Sequence, residues 1–308
     1  MDLATIFLSP TLWAMTLSLG TPIALAALGG TFSERSGVVN IAMEGIMLTA
    51  AFFAVFFSSL TGNAWLGLLL AVACGLGMGL LMAWAAVHLR ADQIVIGTAV
   101  NMIAAGLTAY LLHIFFGQGS PSNTPQLPVV TIPGLAQLPF VGDVIGHQNV
   151  MVYITIGLFI LAHYVLFHTV FGLRLRSAGE NPQATESAGL SVYRLRYLGV
   201  LIGAFLSALG GAYLSIGVLN SFTQNMTSGR GYIALAAMIF GKWTPWGAFG
   251  AAMLFGWASA LGYMFQGTSV PYQLVLILPY VLTVVALVGL VGRSRPPAAD
   301  GIPYVHAR

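Results

Sequence analysis

The chain has 308 residues, of which 58% are hydrophobic and only 6% are charged, and its formal net charge is +3. Soluble domains carry charge on roughly a quarter of their residues, so this composition excludes a water-soluble globular protein. A nucleic-acid-binding protein is also excluded, because the pI of 9.1 comes from a few arginines rather than from a basic surface.

Uncharged apolar runs of about 20 residues recur along the chain. They are too long, and alternate too little, to be the roughly 10-residue strands of a membrane barrel. We therefore predict an all-α, polytopic integral membrane protein with one transmembrane domain over residues 1–308 and about eight long helices. In chain order, the predicted long spans are residues 11–30, 39–60, 64–87, 94–116, 150–170, 195–217, 246–265 and 272–291.

One further apolar run, residues 233–240, is too short to cross about 30 Å of hydrocarbon at 1.5 Å per residue. The polar run 220–230 comes directly before it. We interpret this pair as a broken or re-entrant element. Whether it crosses the bilayer or dips in and returns stays open, although crossing is needed to place the C-terminus on the same side as the other arginine-rich segments.

Two loops of opposite character set the predicted orientation. Loop 171–196 contains four arginines, and the tail contains three more, which places both on the cytoplasmic side. Loop 117–149 contains five prolines and no Lys or Arg, so we expect it on the outer side.

Small residues recur four positions apart in several predicted spans. Because lipid gives apolar helices no hydrophobic drive to associate, close backbone contact through small residues provides the packing. These stripes therefore predict the faces that touch other helices. Their members are Gly75 and Gly79; Gly199, Gly203, Ser207 and Gly211; and Ala252, Gly256 and Ala260.

The arginine-rich loop also contains the signals of a short helix. Asn181 can cap a helix N-terminus, Pro182 suits the first helical position, and Gly189 suits the left-handed position after the last turn. The pattern predicts a helix of about two turns over residues 182–188. Two interpretations remain open: a plain connection between spans, or a docking helix that transmits motion from a soluble partner.

Polar residues inside the predicted spans mark a possible solute path. Glu44 lies near the start of the second span, and a carboxylate in the bilayer costs about 2.5–3.5 kcal/mol unless it has a partner or water. Arg230 and Lys242, on either side of the short element, are candidate partners, and hydration near the inner interface is the alternative. Asn101 is more consistent with an interhelical hydrogen bond than with the path.

The sequence contains no complete motif for catalysis or for metal binding. Gly241 and Lys242 resemble the end of a phosphate-binding loop, but Ala236 and Trp243 replace the required glycine and hydroxyl residue. The histidines lack metal-ligand spacing, and no nucleophile motif occurs. We expect no catalytic residue, no metal site and no cofactor on this chain.

Three blocks of sequence resemble one family of permeases. They are SERSGVVNI at residues 33–41 with Glu44-Gly45 after it; Gly172-Leu173-Arg174, Arg176, Gly179-Glu180-Asn181-Pro182, Ala184 and Ala188-Gly189; and GRGYIALA at residues 229–236 with Phe240-Gly241-Lys242-Trp243 and Pro245. Their order and spacing resemble the permease subunits of bacterial nucleoside and simple-sugar ABC importers, in the ribose/branched-chain amino acid permease superfamily. Ala42, Ser177 and Gln183 depart from the usual pattern.

The resemblance implies a subunit of the bacterial inner membrane that works with an ABC ATPase carrying ATP and Mg²⁺, a second permease subunit (often a different paralogue), and an extracytoplasmic solute-binding protein. The implied ATPase-coupling residues are Gly179, Glu180, Asn181, Pro182, Ala184, Ala188 and Gly189. The candidates for the solute path are Asn40, Glu44, Asn101, Asn225 and Arg230. The alternative function is an ion-gradient-driven secondary transporter with Glu44 as its acidic site.

Overall fold

The structure, a computed structural model, describes residues 7–117, 119, 124–265, 277, 281 and 295–305, and helices dominate it. The helices are α1 (Pro10–Arg35), α2 (Met43–Thr61), α3 (Ala64–Ala83), α4 (Gln93–Phe116), α5 (Val150–His168), α6 (Val170–Glu180), α7 (Pro182–Ser187), α8 (Val192–Tyr213), α9 (Arg230–Phe240) and α10 (Pro245–Met264). Short π-helical turns at Trp84–His88 and Leu214–Leu219 continue α3 and α8, and a third lies at Gly142–Gly146. Two short antiparallel strands, β1 (Val129–Thr131) and β2 (His147–Asn149), pair within the loop before α5.

Six helices in the described part of the chain are long and apolar enough to cross a membrane: α1, α2, α3 with its π turn, α4, α5, and α8 with its π turn. The predicted count of about eight long spans is therefore not confirmed. Helix α10 has 20 residues but is not among these six, and the predicted span 272–291 lies outside the described residues except for Ile277 and Val281. Helix α9, with 11 residues, is the short apolar element that the sequence predicts.

The helices begin where polar side chains can accept the unpaired backbone N–H groups of a first turn. Asn63 and Asp92 each accept two such bonds, from the first turns of α3 and α4. Thr169 caps α6, a helix that begins in the predicted loop 171–196, and its hydroxyl accepts one bond, from the Gly172 amide at 3.1 Å. The arginine-rich loop is therefore mostly helical.

Helices α1, α2 and α8 form the buried centre, and α4 and α5 lie at the periphery. Helices α1 and α8 cross where Gly29 faces Gly203, so closely that a Cβ on Gly29 would lie 2.5 Å from the Gly203 carbonyl oxygen. A Cβ on Gly75 of α3 would lie 2.5 Å from the Ala208 Cβ of α8, and one on Gly256 of α10 would lie 2.6 Å from the Gly20 Cα of α1. The predicted small-residue stripes are contact faces between helices of this chain.

We expect Gly29→Ala to lower the thermal unfolding temperature of the purified protein by several degrees. The added methyl group would push α1 away from α8, and overpacking of this kind costs about 1–3 kcal/mol. Gly157→Ala is the matched control, because a Cβ at Gly157 in α5 meets no atom within 4 Å. Equal melting temperatures for the two variants in detergent would show that this crossing is looser than the structure indicates.

Candidate solute site and coupling helix

Glu44 joins the start of α2 to the start of α9. One carboxylate oxygen accepts a hydrogen bond from the Gly229 amide at 2.8 Å, and the other accepts one from the Gly231 amide at 2.6 Å. Helix α9 has no cap from its own sequence, because its N-cap residue is Gly229, at φ +83°. Glu44 is therefore the N-terminal cap of α9, provided by a residue that lies 185 positions earlier in the chain.

This arrangement explains how an anionic side chain that is 7% exposed lies inside the bundle. The carboxylate faces backbone N–H groups of α9, and it also lies in the first turn of α2. A helix N-terminus carries about half a positive charge, which favours a nearby anion. Its burial also argues against the alternative that Glu44 is simply hydrated.

Neither predicted cation pairs with Glu44 in the described structure. Arg230 turns back onto its own polar segment and donates to the carbonyl oxygens of Met226 and Thr227, at 3.1 and 3.2 Å. Lys242 lies beyond the opposite end of α9, and the 11 residues of that helix span about 16 Å at 1.5 Å per residue. Backbone amides take the place of a salt bridge.

Asn101 links three elements by hydrogen bonds. Its side-chain oxygen accepts from the Gly45 amide at 2.7 Å, and its side-chain nitrogen donates to the Ile41 carbonyl at 3.0 Å and to the Tyr232 hydroxyl at 2.9 Å. The preferred sequence interpretation, an interhelical hydrogen-bond residue, is confirmed. The same residue also reaches a cavity.

A cavity of about 300 Å³ lies between α2, α4 and the start of α9. Its lining residues are Glu44, Gly45, Leu48, Thr98, Asn101, Met102, Ala105, Asn225, Gly229 and Tyr232. The wall offers two side-chain amides, two hydroxyl groups and an aromatic ring, and its single carboxylate already has backbone partners. Such a wall suits a neutral polar solute that can form hydrogen bonds and stack on a ring.

The structure brings three of the five predicted path residues to this wall: Glu44, Asn101 and Asn225. Arg230 is half-buried beside it and is not part of its lining. Asn40 is fully buried away from the cavity, and neither of its side-chain polar atoms has a partner among the described residues.

Sequence reasoning missed Tyr232 and Thr98. Tyr232 is 47% exposed, and its ring forms part of the cavity wall. Thr98, Asn101 and Ala105 follow the i, i+3, i+7 spacing of one helix face, so the phase of α4 could have identified Thr98. No comparable signal marks Tyr232, because its position depends on the cap that Glu44 provides.

At the arginine-rich end, α7 is the predicted short helix, closed at both ends. The Asn181 side chain accepts a hydrogen bond from the Ala184 amide at 3.0 Å. After the helix, the Gly189 amide donates to Glu186 at 2.8 Å and the Leu190 amide donates to Thr185 at 3.3 Å, which is the Schellman pattern. Gly189 has φ +79°, as this ending requires.

The predicted coupling residues fall into two groups. Asn181, Ala184, Ala188 and Gly189 are exposed, and Pro182 is half-exposed. Gly179 is instead buried against α1, where a Cβ would lie 3.0 Å from the Arg35 carbonyl carbon and 3.1 Å from the Gly37 nitrogen. Glu180 is exposed, but its carboxylate accepts a hydrogen bond from the Ala298 amide at 3.2 Å. The first group presents a surface, and the second anchors that surface to the bundle.

Together, three features define a polytopic membrane permease. They are the long apolar helices, the short helix α9 beside a polar cavity, and the exposed helix α7, which is capped at both ends. Comparison with known proteins agrees. The chain belongs to the family described as the permease component of the branched-chain amino acid transport system, which it matches over residues 12–287.

Its relatives include the guanosine ABC transporter permease protein NupQ of Bacillus subtilis, 41% identical over 310 residues that cover 95% of this chain and 96% of NupQ. The nucleoside ABC transporter permease protein NupC of Lactococcus lactis is 39% identical, with 96% of each chain covered. Among solved structures, an inward-facing ABC transporter of the metal-chelate type has a similar fold, with a TM-score of 0.50 and 15% identity over 93% of this chain and 88% of that chain.

Proposed function

We propose that this chain is the membrane-spanning permease of an ATP-driven importer for nucleosides or related simple sugars. The observation that carries the proposal is α7: an exposed helix of six residues, closed at both ends and anchored to the bundle through Gly179. A plain connection between two spans would need neither the N-terminal cap nor the C-terminal cap of this helix. A rigid projection of this kind suits a motor subunit that must push on the bundle.

The remaining parts follow from this proposal. A separate ABC ATPase binds α7 and carries the ATP and Mg²⁺, and this chain needs no cofactor of its own. A second permease subunit, a different paralogue, completes the path, and an extracytoplasmic solute-binding protein delivers the solute. The chain lies in the bacterial inner membrane. Helices α6 and α7 and the C-terminus lie in the cytoplasm, because the arginines are concentrated in and beside these segments, and loop 117–149 lies outside.

The solute class rests on two supports. NupQ and NupC are named for guanosine and for nucleosides, respectively. The cavity independently suits a neutral molecule with hydroxyl groups and a ring, because Asn101 and Thr98 can form hydrogen bonds and Tyr232 presents an aromatic face. A charged amino acid would leave its ammonium or carboxylate without a partner of opposite charge that is free to bind it.

A continuous set of contacts can carry motion from α7 to the cavity. Helix α6 packs against the end of α1 at Gly179, and the Arg35 side chain donates to the Trp243 carbonyl oxygen at 2.9 Å. Trp243 follows α9, and the opposite end of α9 is held by Glu44. A push on α7 would therefore shift α9 as a unit and alter the cavity wall.

The test is uptake by proteoliposomes that contain this chain, its partner permease and its ATPase. With the binding protein outside and ATP inside, labelled guanosine is expected to accumulate, and leucine is not. Collapse of the ion gradients by ionophores should leave uptake intact, whereas omission of ATP should stop it. Uptake that follows the ion gradient would instead support a secondary transporter, which the backbone bonds of Glu44 already argue against.

A further inference from the structure

A second cavity, of about 390 Å³, lies at the C-terminal end of α4 and is called here the outer cavity. Its lining residues are Ala109, Leu112, His113, Gly117, Phe222, Thr223 and Gln224. The cavity between α2, α4 and α9 is the inner cavity. On α4, Ala105 lines the inner cavity and Ala109, one turn later, lines the outer one. On the polar segment 220–230, Asn225 lines the inner cavity and its neighbour Gln224 lines the outer one. The two cavities are therefore neighbours along both elements.

One face of α4 connects the two cavities. The α4 helix residues that line them are Thr98, Asn101, Met102, Ala105, Ala109, Leu112 and His113. Their spacing is i, i+3, i+4, i+7, i+11, i+14, i+15, which places all of them on one stripe of the helix. At 1.5 Å per residue, this α4 stripe is about 22 Å long from Thr98 to His113. It therefore extends through most of the roughly 30 Å thickness of the hydrocarbon.

The outer cavity offers hydrogen-bonding groups without a fixed charge. His113, Thr223 and Gln224 are exposed. Within the part of the chain that the structure describes, none of these three side chains forms a hydrogen bond, so a ligand can use their donors and acceptors. The described lining contains no Asp, Glu, Lys or Arg. A wall of this composition suits a neutral polar molecule rather than an ion.

The wall opposite α4 is held in place by its own contacts. The Phe222 ring is 1% exposed and packs edge-on against Phe52 of α2, with 5.3 Å between the ring centroids. One residue further, the Met226 amide donates to the Thr223 carbonyl oxygen at 3.1 Å and closes a turn. The outer cavity is therefore a formed site, and its volume lies within the range of about 300–1,000 Å³ that small-molecule sites occupy.

We propose that the outer cavity is a second solute-binding site, which receives the neutral polar solute first and passes it along the α4 stripe, past Ala109, to the inner cavity. This inference rests on the proposed import function, under which the end of α4 that carries His113 faces outside. The outer site binds the solute through hydrogen bonds from His113, Thr223 and Gln224. The inner site adds the aromatic face of Tyr232.

The first test blocks the α4 stripe between the two cavities. In the same proteoliposomes, Ala109→Trp is expected to lower guanosine uptake by about tenfold or more, because the indole would fill the passage. Leu107→Trp is the matched control: Leu107 is exposed, lines neither cavity and lies about 160° around α4 from Ala109. Its uptake should stay within about a factor of two of the unaltered complex.

Two outcomes of this test would overturn the outer site. One is normal uptake by Ala109→Trp. The other is loss of uptake together with loss of the partner permease from the purified complex, which would show that the α4 stripe is a contact face between subunits.

A second measurement locates the solute in the blocked complex. The binding protein is loaded with 8-azidoguanosine, the complex is irradiated, and the labelled peptides are identified by mass spectrometry. The unaltered complex should be labelled at both cavities, whereas Ala109→Trp should be labelled only in the peptides that contain residues 109–117 and 222–224. Label absent from these peptides in Ala109→Trp would reject the outer site alone. Failure of the unaltered complex to accumulate guanosine would instead reject the import function.

Gln224→Leu decides the question if the Ala109→Trp chain does not accumulate in the membrane. Leucine keeps much of the size of the side chain but loses its donors and acceptors, so uptake at low concentrations of loaded binding protein should fall by up to about tenfold. Docking of the binding protein, measured by co-sedimentation with the proteoliposomes, should not change. Ser221→Ala is the control, because Ser221 belongs to the same segment and lines neither cavity. Equal uptake by these two variants would contradict a binding role for the outer cavity.

Discussion

Gly189→Pro is expected to leave the protein in the membrane and to lower solute uptake by about tenfold or more. Gly189 has φ +79°, whereas proline is fixed near −65°, and its amide donates the 2.8 Å bond to Glu186 that closes α7. Without this closure, α7 no longer holds one orientation toward the ATPase. Uptake by cells with matched membrane levels of the permease, and co-purification of the ATPase, measure the effect.

The control for this variant is Gly189→Asn. Asparagine tolerates the left-handed conformation better than other side chains and keeps the amide donor, so uptake should stay within about a factor of two of the unaltered protein. A Cβ added at Gly189 meets no atom within 4 Å, so the effect of Gly189→Pro comes from the backbone angle and the lost amide donor rather than from crowding at Cβ. Normal uptake by Gly189→Pro would exclude α7 from coupling.

Glu44→Ala is expected to lower both the stability and the transport activity of the protein. The change leaves the amides of Gly229 and Gly231 without their acceptor, and each unpaired buried group costs about 1–3 kcal/mol. The start of α9 would then loosen, together with the cavity wall that it forms. We expect uptake to fall by about tenfold or more and the thermal unfolding temperature to drop by several degrees.

Two comparisons separate this role from a general loss of charge. Glu44→Gln keeps one acceptor oxygen, so its uptake should lie between those of the unaltered protein and Glu44→Ala. Asp92→Ala removes a carboxylate that also caps a helix through two amides, at 2.9 and 3.0 Å, but it lies on the exposed start of α4. Asp92→Ala should cost about 1 kcal/mol and leave uptake nearly unchanged. Wild-type uptake by Glu44→Ala would remove this residue from the site.

Features that depend on neighbouring residues were predictable. Helix α7 is specified by Asn181, Pro182 and Gly189, whose side-chain and backbone preferences act within one or two turns. The small-residue stripes were predicted from their spacing alone, and the structure shows which helices they touch, as at Gly29 and Gly203. The short element α9 was predicted from the apolar run 233–240, which is too short to cross the hydrocarbon, and the structure shows a helix of 11 residues there.

Features that depend on residues far apart in the sequence could not be predicted from it. The sequence suggested Arg230 or Lys242 as partners for Glu44, since opposite charges are the simplest solution for a buried carboxylate. The structure uses the unpaired amides of α9 instead, which no charge pattern can reveal. Asn40 was among the predicted path residues, but it is buried away from the cavity.

By itself, the sequence determined that this chain is a polytopic helical membrane protein with a short helix capped at both ends, because apolar run length, arginine placement and helix-end residues are local quantities. The permease family was indicated by the resemblance of three sequence blocks. Only the tertiary structure decided that Glu44 caps α9 and that Asn101 binds the Tyr232 hydroxyl at the wall of the cavity. Each of these contacts joins residues more than 100 positions apart, and their geometry depends on how the whole bundle packs.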